Sequence, residues 1–201
     1  MNRRAFLTIL AAGLLARHAQ AQTAPSQRIR GTIAALSGNM LTIDSRDGAK
    51  IEILLADPLT VSTVRKVDLA SIGPGTYIGT ATRAAAGGRL VAIEVLVFPE
   101  AMRGAGEGHY AWDLEPGSMM TNATVSGVVS ATDGRTLSLS YKGGNNEVVV
   151  PPDVPVVTFA PATRADLKPG ARFFLAARPN ADGKLATGRV TVETAGVAPP
   201  M

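Results

Sequence analysis

One stretch of 27 residues, Phe98 to Thr124, gathers most of the side chains in this chain that could do chemistry. It holds Trp112, the only tryptophan, and His109, the only histidine other than His18. Met102, Met119 and Met120 lie in it, with the carboxylates Glu100, Glu107, Asp113 and Glu115. Three chemistries can be built from this set. His109 with Met102, Met119 and Met120 would be a soft nitrogen and sulfur site suited to Cu(I), hardened for Cu(II) or Zn(II) by Glu107 or Asp113. The spacings match no established metal motif, and methionine in a loop commonly fills gaps as a hydrophobe. No cofactor is therefore expected, and copper is the alternative. A nucleophilic Ser118 would need His109 as its base and Asp113 as orienter. With no Cys and no Gly-x-Ser-x-Gly elbow, an enzyme is not expected, and a hydrolase or transferase is the second alternative. The remaining chemistry is binding: Trp112 with Arg103, Glu107, His109 and Asp113 nearby could hold a polar ligand such as the sugar ring of an envelope polymer.

The bland reading of the stretch is structural. Connections in compact proteins usually run ~4–6 residues, so 27 is too long for a simple linker. Phe98, Met102, Tyr110, Trp112, Leu114 and Met119 are too many apolar side chains for a solvated tether. An ordered Ω-like loop along both flanking units is expected, anchored by a largely buried Trp112. Gly104-Ala105-Gly106-Glu107-Gly108 lacks the last glycine of a dinucleotide fingerprint and precedes no helix, so its glycines are read as turn-formers.

The flanking units carry strand patterns. From Arg28 the chain alternates, with Ile29, Gly31 and Ile33 on one face and Arg30 and Thr32 on the other. Strands follow at Met40–Ile43 and Lys50–Leu55, the latter pair joined at Asp47-Gly48, which reads as a type I′ hairpin turn. Val61–Val64 reads as a short extended piece, and Val67–Ile72 has room for one helical turn before Gly73-Pro74-Gly75. Thr76–Thr82 and Arg89–Phe98 complete five strands. The order then recurs: Gly38-Asn-Met-Leu-Thr-Ile matches Gly134-Arg-Thr-Leu-Ser-Leu, and Pro74-Gly75 matches Pro169-Gly170. This is an internal duplication, and two copies mean two small domains, not a solenoid. Five strands with a helical turn between the third and fourth is the order of an OB-type barrel; a generic five-stranded roll or half a sandwich is the alternative. The expectation is all-β: two tandem five-stranded OB-like barrels, 28–98 and 124–193, joined by an ordered loop 99–123 and ending in a tail 194–201.

Residues 1–21 read as a signal peptide. Arg3 and Arg4 precede the apolar run Ala5–Ala16, and Ala19-Gln20-Ala21 offers a cleavage site before Gln22. That run is shorter than the ~20 residues that span a bilayer, and no later segment approaches it, so no transmembrane segment is expected in the mature chain. Arg3-Arg4-Ala5-Phe6-Leu7 fits twin-arginine export, with an ordinary secretory signal as the alternative. Loss of Arg3, Arg4 and Arg17 leaves 17 basic against 16 acidic residues. The high whole-chain pI then implies no nucleic-acid partner, and eight scattered aromatics offer no stacking platform. A periplasmic or secreted bacterial protein is expected, its partner an envelope protein, a polymer or a small ligand.

The string F-P-E-A-M-R-G-x-G-E-G-H-x-x-W-D, Phe98 to Asp113, together with the repeat and the signal, resembles a family of small exported bacterial proteins. They are built from OB-like β repeats and known as a domain of unknown function. The resemblance implies an exported, β-rich protein and no activity. Similar proteins are sometimes labelled metal ABC transporter permease, but a permease needs several spanning helices, which this chain lacks.

Overall fold

The computed structural model describes residues 25–131 and 134–200; the expected signal peptide lies outside the described residues. The protein is all-β. Twelve strands run in chain order: β1 Gln27–Ser37, β2 Met40–Ser45, β3 Lys50–Lys66, β4 Tyr77–Ala84, β5 Leu90–Val97, β6 Gly108–Ala111, β7 Met119–Ala131, β8 Gly134–Tyr141, β9 Gly144–Val150, β10 Val156–Pro161, β11 Arg172–Pro179 and β12 Leu185–Val192. Single 3₁₀ turns at Leu69–Ser71 and Arg164–Asp166 sit where the sequence left room for one helical turn.

The strands close into rings that mix the two halves of the chain. In one ring β1 pairs with β2 and β2 with β3, both antiparallel; β3 pairs in parallel with β12, and β11 closes the ring against β12 and β1. In the other, β7, β8 and β9 are antiparallel neighbours, β9 pairs in parallel with β5, and β4 joins β5 to β7. Each half therefore gives its three-stranded meander to one barrel and its fourth and fifth strands to the other. The cores confirm the exchange. Ile33, Leu41, Ile43 and Ile53 pack with Leu175, Val190 and Val192 in the first barrel, while Ile78 and Val95 pack with Val125, Leu137 and Val148 in the second. The boundaries 28–98 and 124–193 mark the duplication, not the closed units. The 3₁₀ turns follow their hairpins across. Arg135 Nη1 donates to the carbonyl of Leu69 at 2.5 Å, and Arg164 Nη2 donates to Asn39 Oδ1 at 2.9 Å.

β3 and β10 carry the exchange. β3 runs 17 residues without a break, so its far end leaves the first barrel and pairs antiparallel with β10, Val64 opposite Phe159. That delivers the next hairpin to the other meander. A duplicated meander accepts either copy of the hairpin, since the two share one register. β4 and β5 fall 95 residues before β11 and β12 at both ends, and Thr80 opposite Val95 recurs as Leu175 opposite Val190. At the crossing, Val64, Leu96 and Val157 form a small third core with Phe98, Phe159 and Phe174 against it.

Two local expectations need correction. The Asp47-Gly48 hairpin forms, but its turn is not type I′. Only Gly48 has a positive φ (86°), and its N–H donates to the Ser45 carbonyl at 2.9 Å, so Asp47 stays in an ordinary conformation. Nor is 99–123 wholly a loop: Gly108–Ala111 is a strand laid antiparallel on Met119–Asn122, and β7 begins at Met119.

Candidate functional site

Pairing of β6 with β7 decides which side chains of the central stretch meet. Directly opposite residues in an antiparallel ladder share a face. His109 lies opposite Thr121, and Tyr110 opposite Met120. Thr121 is on the face of β7 that carries Ala123 and Val125 into the second core, so His109 closes that end of the second barrel. Its Nδ1 is 2.8 Å from Thr121 Oγ1 and 3.0 Å from Asn146 Nδ2, and its ring stacks on Tyr141. Met120, 5% exposed, points from the opposite face. The expected soft-metal set is thus divided by the sheet; Met119 shares the His109 face, opposite Ala111, and Met102 sits in a separate 3₁₀ turn, Glu100–Met102. No group of three or more His, Cys, Asp or Glu side chains among the described residues is placed to hold a metal ion.

The expected ligand set is likewise spread over three places. Arg103 is tied to Glu100 at 2.6 and 2.7 Å and donates to the Gly75 carbonyl. Glu107 accepts the Lys142 N–H at 3.0 Å. Trp112 and Asp113 reach instead to the first barrel. The Arg28 guanidinium lies 4.1 Å from the Trp112 ring centroid, and Phe174 and Tyr110 flank the indole at 6.5 and 6.2 Å. Asp113 accepts from Arg30 at 3.0 Å, with Arg28 at 3.8 Å, and its carbonyl accepts from Arg46 at 3.1 Å. Burial alone would raise the Asp113 carboxyl, but the bond and charge of Arg30 and the charge of Arg28 hold it below the ordinary value. The stretch therefore works as a clasp between the barrels. Trp112 is half-buried, not largely buried, although its Nε1 is fully enclosed.

Ser118 belongs to the clasp. Its hydroxyl donates to the Glu115 carbonyl at 2.8 Å and lies 3.2 Å from that of Trp112, and it accepts the Glu115 N–H at 3.1 Å. These bonds close the turn that presents Trp112. No hydrogen bond joins Ser118 to His109 among the described residues. Asn122 holds the other end, donating to the Ala105 carbonyl at 3.2 Å and to Tyr110 Oη at 3.1 Å. Gly79 and Gly106 leave it room: a Cβ on either would stand 2.5 or 2.8 Å from the Asn122 amide.

The residue that sequence reasoning missed is Glu94. In the β5 sequence it is the one charged residue in an apolar run. In the fold it lies under the clasp, opposite Ala81, which is itself opposite Met120. It is 1% exposed, and neither carboxylate oxygen has a hydrogen-bond partner among the described residues. Burial raises its pKa from 4.5 to about 8, moderated by the field of Arg30. One charged letter in an otherwise apolar strand was the available signal.

Among the described residues the equivalent face of the first barrel is covered only at one side, where Trp112 lies beside Phe174 and Arg28. By the 95-residue offset, Gly79, Ala81, Arg83 and Glu94 correspond to Phe174, Ala176, Arg178 and Arg189. Ala81 is fully buried, whereas Ala176 and Arg189 are exposed. A groove of about 650 Å³ opens there, floored by Phe159, Phe174 and Ala176 and edged by Arg178, Arg189 and Ser26. No helix among the described residues is long and apolar enough to cross a membrane. Comparison of the chain with protein-family models, curated proteins and solved structures gives no match.

Proposed function

We propose that this chain is an exported, non-catalytic binding or accessory protein of the bacterial cell envelope, built from two OB-like barrels with exchanged hairpins. The ring order, closed by a parallel pair between the third and fifth strands of the barrel, supports the OB-like reading. The observation that carries the binding role is the uncovered groove. The duplication made two equivalent faces; the central stretch covers one and reaches only the edge of the other, where Trp112 lies beside Phe174. The other keeps the size and apolar lining of a ligand site. Ser118 and His109 are each engaged in structural bonds, Ser118 within the clasp and His109 at the end of the second barrel.

Native mass spectrometry of protein purified from the periplasm tests this reading. A mature chain beginning at Gln22 with a non-covalent organic adduct, unaffected by a chelator, is the expected spectrum. Stoichiometric copper removed by chelator would overturn it in favour of the soft-metal reading. A bare chain, both as purified and after incubation with envelope extract, would also overturn it. For the export route, changing Arg3 and Arg4 to lysine should abolish export, because the twin-arginine receptor discriminates between these cations. Normal export of that variant would return the signal to the ordinary secretory class.

A further inference from the structure

We infer that the open groove of the first barrel takes an amphipathic anion: an acyl or alkyl body with a carboxylate or phosphate head. This rests on the proposed binding role and names the ligand class for it. The body is specified by the floor. Phe159 and Phe174 belong to the junction core but are only partly covered by it, and Ala176 beside them is exposed. A flat apolar floor of this kind is stabilised by burying hydrocarbon.

The head is specified by the rim. Arg178 and Arg189 border the groove, no Asp or Glu lines it, and the exposed Thr60 adds a neutral hydroxyl. Neither guanidinium has a hydrogen-bond, ion-pair or ring partner among the described residues. Four other arginines of the first barrel are engaged: Arg28 stacks on Trp112, Arg30 and Arg46 bond Asp113, and Arg172 pairs with Glu193 at 2.8 Å. A guanidinium presents a planar fork of donors matched to two oxygens of a carboxylate or phosphate.

The covered twin face shows why the pair points to a ligand and not to packing. Where the clasp buries the second barrel's face, the position equivalent to Arg189 is Glu94, whose proton the site retains. A charge that stays ionised could not be covered in the same way without a partner. At Arg189 the side chain is exposed at the groove instead of buried, so the groove is suited to an occupant that brings the opposite charge. Ser26 edges the groove on the open face, whereas on the twin Asn122 tethers the clasp.

The test is calorimetric titration of the mature protein with four probes below their micelle concentrations: decanoate, decyl phosphate, decyl glucoside and acetate. Decanoate and decyl phosphate should bind one to one, and the tighter of the two identifies the head. Decyl glucoside and acetate should bind at least tenfold more weakly. Changing Arg178 and Arg189 together to glutamine should weaken the anionic amphiphiles at least tenfold. Arg83→Gln, the counterpart of Arg178 on the covered barrel, should leave them unchanged. The sole tryptophan, one ring from Phe174, reports that each variant keeps its clasp. Equal affinity for decyl glucoside, an unaltered affinity in the double variant, or no binding by folded wild type would each overturn the assignment. If these probes fail while purified protein still carries an organic adduct, the binding role survives and only the ligand class falls.

Discussion

Glu94→Gln should flatten the pH dependence of this protein's stability between pH 4.5 and about 8. The carboxyl is buried without a partner, so the folded state holds its proton more tightly than the unfolded chain does. A group raised in this way gives its full contribution below the unfolded value of 4.5, and the contribution drains away as pH rises to the folded value of about 8. The slope is about 1.4 kcal/mol per pH unit for one proton, so wild type should lose on the order of 4 kcal/mol across the window, relative to the glutamine variant. Urea melts of both proteins at several pH values give the difference directly, and other titrating groups cancel in it. A constant difference from pH 5 to 8 would mean that Glu94 finds a partner or water on folding, and the inference of an unpaired buried carboxyl would fail.

The second large effect is expected at Trp112. Truncating it to alanine empties the space between Arg28, Tyr110 and Phe174 and removes the cation–π contact at 4.1 Å. Emptying an aromatic site costs about 3–5 kcal/mol, and the half-exposed ring places this one near the low end. Asp113→Asn should cost roughly 1 kcal/mol or less, because the carboxylate is 45% exposed and its ion pairs are screened. Trp112→Phe should recover much of the loss. Denaturant melts rank the three. If Trp112→Ala costs no more than Asp113→Asn, the stretch is an ornament on the second barrel and not a clasp between the two.

The Glu94 and Trp112 effects share a cause that the sequence showed only in pieces. Phe98 to Thr124 was legible as an ordered, aromatic-anchored segment because it is too long and too apolar for a tether. That Trp112 would stack on Arg28 was not legible, because β1 lies 84 residues earlier and its arginines read simply as the solvated face of a half-buried strand. The soft-metal set failed to assemble for a similar reason. Met119, Met120 and His109 are close in sequence, but β6 and β7 pair in a register that puts Met120 and His109 on opposite faces.

Alternation, turn residues and the repeat by themselves determined an all-β chain of duplicated five-strand units, with a special segment between them. These are local properties: a period of two, a Gly at a positive φ, and a spacing that recurs. Only the tertiary structure decided which hairpin closes which barrel. Two copies of one unit offer identical edges, so no local preference separates closure within a half from closure across halves. The exchange runs through the antiparallel crossing of β3 with β10, which carries each following hairpin to the other barrel. The same choice leaves one barrel face covered and burying Glu94, and its twin open with Arg178 and Arg189 at the rim.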